Sequence, residues 1–176
     1  MKRREFITLL GGAAAAWPRN VTAQNVTKVY RVGTLIIGAP VGDKSLYGAA
    51  LIRGLAQYGY ELDRNLVVEH LGAEMQLDRL PRLVDELVAS KVGCIVAFGY
   101  PAALAAKRRT TLPIVAISAG DPVGTGLVDS LARPGANITG ISDVWAEVTP
   151  KRLQLLKEMV PNLRRVAMLW NEPTSG

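Results

Sequence analysis

The chain has 176 residues, of which 49% are hydrophobic and 6% aromatic, so it is long enough to bury one core of ordinary size. It carries 21 lysines and arginines against 15 acidic residues, a formal net charge of +6 at pH 7. Four of those basic residues but only one acidic residue lie in residues 1–23, and no basic stripe interleaved with aromatic residues follows. This distribution argues against a nucleic-acid-binding groove.

The N-terminal 23 residues predict an export signal. Three cations, Lys2, Arg3 and Arg4, precede an apolar run at 6–17 that is too short to span a bilayer at ~1.5 Å per helical residue, and small residues follow up to Ala23. The paired arginines resemble a twin-arginine signal, which the twin-arginine export machinery reads as an address. We therefore expect export to the periplasm and cleavage near Ala23. An amphipathic first helix is the alternative, and the glycines and the proline of this stretch disfavour it.

Two strands and two helices are predicted next. Apolar strands at 29–38 and 65–71 alternate with helices at 45–60 and 76–92. The apolar stripe of the first helix comprises Tyr47, Leu51, Leu55 and Tyr58. The stripe of the second comprises Leu77, Leu80, Val84, Leu87 and Val88, and Pro81 falls in the first turns, where proline is best tolerated.

The rest of the chain continues the alternation. Strands are predicted at 93–99, 112–118 and, more weakly, 136–142, and a short helix at 101–109 ends in a "KRR" cluster, where cations are favoured. A further helix at 150–159 and a buried strand at 164–171 follow. One helix and one strand cannot make a second sheet, so they are the expected beginning of one.

Strands that are apolar along their whole length need cover on both faces, which predicts a doubly wound parallel α/β sheet in three layers, α/β/α. Ligands bind such sheets at the carboxyl ends of the strands, near the point where the strand order reverses. The loops of interest are therefore "GAPVGDKS", "GYPAA", "SAGDPVGTG" and "SDVWAEV".

Cys94 and His70 are the only residues of their types, and neither predicts chemistry. A single cysteine excludes an internal disulfide and a cysteine-based zinc site, and its apolar surroundings predict a small buried core residue. A single histidine offers no partner for a metal pair, so a surface or strand-end role is expected for it.

Several segments together resemble ABC transporter substrate-binding proteins of the tryptophan- and tyrosine-binding type. The resemblance extends over essentially the whole chain and is strongest in "RGLAQYGYELDRNLVVEH", "DRLPRLVDELV", "PAALAAKRRTTLPIVAISAGDPVGTGLVDSLARPGANITGIS" and "PKRLQLLKEMVPNLRRVAMLWNEP". It implies a two-lobed, Rossmann-like protein that closes on an amino acid or related small molecule and passes it to an ABC permease in the inner membrane. It implies no catalytic residue, metal or cofactor.

The resemblance also implies which residues meet the ligand. They are Gly38, Ala39 and Pro40 after the first strand, Gly99 and Tyr100 after the third, Ser118, Ala119 and Asp121 after the fourth, and Ser142 and Asp143 at the crossing. Tyr100 departs from the family, which commonly has two glycines and then a hydroxyl or other small residue before "PAA", whereas this chain has Gly99 and then Tyr100. Tyr100 either alters how an anionic group meets the helix start or stacks on a planar ligand. Asp121 has an equal alternative as a turn or cap residue, and the two glycines as tight-turn residues.

Members of this family are roughly twice as long as this chain. The implied organisation is a signal at 1–23, a first ligand-binding lobe at 24–145 and an incomplete second lobe at 146–176. One alternative is a truncated product without activity. Another is a small nucleotide-dependent α/β enzyme, which the lack of a G-x-G-x-x-G after the first strand, of a P-loop and of a G-x-S-x-G elbow disfavours.

Overall fold

The structure, a computed structural model, describes residues 28–143 and 145–168, so the predicted export signal lies outside the described residues. The strands are β1 (Tyr30–Ile36), β2 (Leu66–Gly72), β3 (Cys94–Phe98), β4 (Ile114–Ile117) and β5 (Ile138–Ile141). The helices are α1 (Leu46–Ala56), α2 (Leu80–Ala89), α3 (Tyr100–Arg109) and α4 (Trp145–Met159), and a 3-10 turn at Leu77–Arg79 leads into α2.

The five strands form one parallel sheet in the order β2-β1-β3-β4-β5. Each predicted strand from 29 to 142 is present, and the α/β fold class with a parallel sheet is confirmed. The order reverses between β1 and β3, because the chain runs outward from β1 to β2 and then returns to β3 on the other side.

The two faces of the sheet are covered unequally. On the first, the α2–α3 face, Leu35, Ile95 and Ile114 pack under four buried residues of α2 and three buried alanines of α3. On the other, the α1 face, a smaller cluster forms around Val96 and Phe98, and α1 buries only Gly48. This face is incompletely covered: its β5 member, Ile141, is 72% exposed.

Two details of the predicted helices are wrong. The chain leaves α1 after Ala56, so Tyr58 lies in the following turn and is 82% exposed, and Tyr47 is also exposed. In α2 the buried stripe is Leu80, Leu83, Val84 and Leu87, so it includes Leu83, which was not predicted, and leaves Val88 exposed. Pro81 does occupy the first turn, as predicted.

Cys94 is half-buried instead of being a core residue. It pairs in register with Val32 and shares the α1 face with Val96. Incomplete cover of that face explains its partial exposure.

The tail departs most from expectation. α4 starts five residues before the predicted position and carries Pro150 inside it. Residues 164–168 form no strand, because no described strand lies beside them to supply hydrogen bonds; residues 169–171 lie outside the described residues. Residues 151–160 are all exposed, which leaves the apolar side chains of α4 uncovered. Within 28–143 and 145–168, no helix has the length and apolar content to cross a bilayer.

Candidate functional site

The carboxyl ends of β1, β3, β4 and β5 lie on one edge of the sheet, since all ladders are parallel. The loops that follow these strands carry nine of the ten predicted site residues, and the tenth, Tyr100, is the first residue of α3. The reversal between β1 and β3 makes this edge the expected ligand position in a doubly wound sheet.

The β1–α1 loop (residues 37–45) rests on the end of β2. The Glu74 backbone N–H donates to the Gly38 carbonyl (3.1 Å), and the Met75 N–H donates to the Ile37 carbonyl (2.7 Å). Gly72 makes this approach possible, because a Cβ there would lie 2.5 Å from the Pro40 nitrogen. Gly38 is half-buried, while Ala39 and Pro40 are exposed, so this loop offers backbone and small side chains at the edge.

Gly99 links β3 to α3 at the same edge. Its φ of 83° is in the left-handed region, which glycine adopts without strain, and its N–H donates to the Ile117 carbonyl (2.8 Å). Tyr100 opens α3; its half-buried ring packs on the core and lines a groove with Leu77 and Leu104. The expectation that Tyr100 meets a ligand stays a prediction.

The β4 loop is held by its own backbone. Ser118 is exposed with a φ of 54°, an uncommon conformation for a residue with a Cβ, and its N–H donates to the Ile141 carbonyl (3.1 Å). Ala119 is buried, so its side chain belongs to the core. The Asp121 carboxylate accepts from the Gly124 N–H (2.9 Å), which is the turn-cap arrangement; a ligand contact by Asp121 stays a prediction.

The loops after β4 and β5 are joined directly. The Ser142 hydroxyl donates to the Gly120 carbonyl (2.6 Å), and both Ser142 and Asp143 are half-buried. This bond places the crossing to α4 beside the β4 loop, so the structure brings these two predicted groups together at one end of the edge.

Sequence reasoning missed Gly72, Asp43 and the placement of His70 under the β1–α1 loop. The His70 ring bonds the Asp43 carboxylate (2.8 Å). The missing information is the β1–β2 register, which sets Thr34 beside His70 and cannot be read from either strand alone. Glycine followed by "AEM" after β2 is the only local signal.

Cys94 and Arg109, whose pKa values are shifted, lie away from this edge. Burial raises the pKa of the Cys94 thiol at the opposite, amino end of β3. On the surface of the α2–α3 face, a hydrogen bond from Arg109 to Asp85 and the charge of that carboxylate raise the pKa of the guanidinium.

A partly open pocket near the edge is too small to hold an amino acid by itself. A cavity of about 50 Å³ lies between β5 and the 119–135 segment and is lined by Ala119, Leu127 and Ser142 among others. Small-molecule sites typically measure ~300–1,000 Å³ and bury most of the ligand. This pocket is therefore much smaller than a typical small-molecule site.

Comparisons with known proteins agree with this architecture. The profile of the family described as ABC transporter substrate binding protein matches residues 34–175. A tyrosine-binding protein from Clostridioides difficile is 30% identical over 137 residues, which cover 77% of this chain and 39% of that protein.

Two solved structures share the fold. A conserved domain protein from Vibrio cholerae superposes with a TM-score of 0.68 at 30% identity, over 77% of this chain and 45% of that one. An ABC domain from Streptococcus pneumoniae in complex with L-Trp superposes with a TM-score of 0.67 at 27% identity, over 78% of this chain and 45% of that one. The chain thus spans less than half the length of these relatives. The family match, the strand order and the loops at the carboxyl edge together show that this chain belongs to the ABC transporter substrate-binding protein family.

Proposed function

We propose that this chain supplies the first ligand-binding lobe of a periplasmic solute-binding protein that serves an ABC importer. Its ligand is an amino acid or a related small molecule, held in a cleft between this lobe and a second one. The observation that carries the proposal is the likeness to the pneumococcal domain that holds L-Trp, in a family of solute-binding proteins rather than enzymes.

The packing of the chain supports the proposed division into a first lobe at 24–145 and the start of a second at 146–176. Residues 24–145 hold the whole sheet, whereas α4 makes no buried contact over residues 151–160. An uncovered apolar helix that directly follows the last strand supports the interpretation of 146–176 as the start of the second lobe. The relatives' greater length supports the same division.

Small side chains and carboxylates at the edge suit an amino acid better than an apolar ligand. Gly38, Gly99 and Ser118 leave room at the edge, and Asp121 and Asp143 would supply carboxylates for an amino group. The ligand carboxylate would approach the start of α3, where unpaired N–H groups and the helix dipole favour negative charge.

Amide chemical shifts test the ligand and its position. We expect L-tryptophan or L-tyrosine, titrated into ¹⁵N-labelled residues 24–176, to shift resonances in the loops after β1, β3, β4 and β5. A neutral sugar is the control ligand. Shifts confined to the amino edge, near Tyr60 and Lys91, would contradict the site. No response to any of a panel of amino acids and small organic acids would favour a fragment without activity.

Export is tested separately. Because Arg3 and Arg4 carry the proposed twin-arginine signal, replacing both by lysine should leave the protein in the cytoplasm of the producing cell. Normal delivery of that variant to the periplasm would exclude the twin-arginine route without affecting the ligand-binding proposal.

A further inference from the structure

A chain of hydrogen bonds runs from the core of the sheet to the β1–α1 loop. The Thr34 hydroxyl lies 2.8 Å from His70 Nδ1, and His70 Nε2 lies 2.8 Å from Asp43 Oδ1. Thr34 is fully buried, the His70 side chain is 14% exposed and the Asp43 side chain is 47% exposed. These two hydrogen bonds therefore connect the α1 face of the sheet with the surface loop that carries Gly38, Ala39 and Pro40.

The direction of each hydrogen bond in this series follows from Asp43, the residue at its outer end. An ionised aspartate only accepts, so His70 Nε2 carries the hydrogen that Asp43 receives. In the neutral ring Nδ1 is then an acceptor, and the Thr34 hydroxyl donates to it at 2.8 Å; the Glu69 carbonyl, 3.5 Å from the same hydroxyl, is the more distant alternative acceptor. The polar atoms of a buried hydroxyl and a largely buried imidazole are thus satisfied, and the loop is their last partner.

These three groups resemble those of a nucleophilic triad, but the burial excludes that role. A nucleophilic hydroxyl must reach a substrate, whereas Thr34 has no exposed surface and lies under α1 within the sheet. The arrangement can position a loop; it cannot attack a ligand.

Other contacts hold the same loop at different points. The Gly38 carbonyl and the Ile37 carbonyl accept from Glu74 and Met75, and the Val41 side chain is buried on the α1 face. Between Val41 and the start of α1, the His70 bond is the side-chain contact that joins the loop to the sheet among the described residues. Without it, the outer half of the loop keeps its own turn, in which the Ser45 N–H donates to the Gly42 carbonyl, and the cap at the start of α1, in which the Gly48 N–H donates to the Ser45 hydroxyl. Neither of these contacts joins that half of the loop to the sheet.

We infer that Asp43 and His70 are positioning residues that hold the β1–α1 loop in its ligand-competent conformation. The inference rests on the proposed function, because it gives the loop a ligand to meet. Asp43 and His70 touch no ligand themselves; they act through the backbone of residues 37–45. The loop presents its backbone at the carboxyl edge in a fixed geometry because the core anchors it from below.

Amide hydrogen exchange of the full chain tests the anchor without any ligand. His70→Phe keeps a ring but removes both hydrogen bonds, and Asp43→Ala removes the outer one. Loss of one such bond should speed exchange of the Ser45 and Glu74 amides by roughly 3- to 10-fold. The amides of β3 and β4 should exchange at unchanged rates.

Conservative variants separate positioning from general support. The amide of His70→Gln reaches about as far as Nε2 and should keep slow exchange in the loop, whereas the shorter His70→Asn can bond Thr34 but not Asp43 and should lose it. Asp85→Ala is the matched control, because Asp85 is 51% exposed and forms a similar surface pair with Arg109. It should leave the loop unchanged.

The result that overturns the inference is unchanged loop exchange in His70→Phe, or exchange that rises equally in the loop and in β3. In addition, His70→Phe should reduce the shift that L-tryptophan causes at Gly38 while leaving the shift at Gly99. If the unsubstituted chain shows no ligand shift, the proposed function fails, and the exchange rates alone then decide whether the anchor exists.

Discussion

Gly72 leaves room for the backbone of the β1–α1 loop, so a side chain added at Gly72 would collide with that loop. A Cβ on Gly72 would meet the Gly38 carbonyl and lie 2.5 Å from the Pro40 nitrogen, and both are backbone atoms that cannot rotate away. Gly54 offers a matched contrast, because a Cβ there meets nothing within 4 Å inside α1.

We therefore predict opposite effects of alanine at the two glycines. Gly72→Ala should displace the β1–α1 loop and lower the free energy of unfolding by about 1–3 kcal/mol. Gly54→Ala should raise it by up to about 1 kcal/mol, because alanine is the better helix former. Urea denaturation measures both. Equal effects of the two substitutions would show that the loop does not rest on Gly72 as described.

Cys94 predicts a pH dependence of stability. Burial raises the pKa of its thiol above the ordinary 9.0, so the folded state keeps a proton that the unfolded state releases. The free energy of unfolding should fall as the pH rises from about 9 through the raised folded pKa, and Cys94→Ala should lack this part of the decline. Thiol-reactive reagent at pH 8 should modify the folded protein more slowly than the urea-unfolded one. Equal rates would contradict the burial of the thiol.

Among the elements, α4 exposes a row of apolar side chains. Leu153 and Met159 are 44% and 80% exposed, and Leu156 lies between them on the same stripe. A helix with such a stripe normally packs against another element.

We predict that α4 drives self-association of residues 24–176. Replacing Leu153 and Leu156 by glutamate should shift the sedimentation profile toward monomer. Replacing Lys151 and Lys157 by glutamine changes the net charge equally and should not. Residues 24–145 should be monomeric and melt cooperatively, because they contain the whole sheet. Association of 24–145 equal to that of 24–176 would place the contact elsewhere, such as on the α1 face.

The type of an element could be predicted from the sequence where its buried positions are apolar and its exposed positions polar. The run from Cys94 to Phe98 is apolar throughout, and all of it except Cys94 is buried. The helix periodicity predicted most of the core positions of α2. Contacts between distant elements could not be predicted from the sequence. Thr34 contacts His70 because the register of β1 and β2 sets these residues side by side. The exposure of Tyr58 was also missed, because a turn ends α1 before this residue. The predicted strand at 164–171 depends on neighbours that the described residues do not contain.

For the whole molecule, the open carboxyl edge limits affinity. Enclosed ligands typically have ~70–90% of their surface buried, and a single wall gives about half of the contacts. Half of a micromolar interaction, about 4 kcal/mol, corresponds to a dissociation constant near 1 mM. We predict binding of that order for residues 24–176 with any amino acid, as measured by calorimetry on the monomeric fraction. Micromolar binding would mean that this lobe holds a self-sufficient site.

The strand order also sets when the sheet can form during synthesis. The interior strand β1 lies between β2 and β3, and about 60 residues separate the end of β1 from the end of β3. At ~5–20 residues per second, a ribosome needs roughly 3–12 s to make that stretch. Pairing between distant parallel strands is itself slow. For those seconds β1 has at most one neighbour, so the nascent chain carries an unpaired apolar strand edge that must be shielded from other chains until β3 emerges.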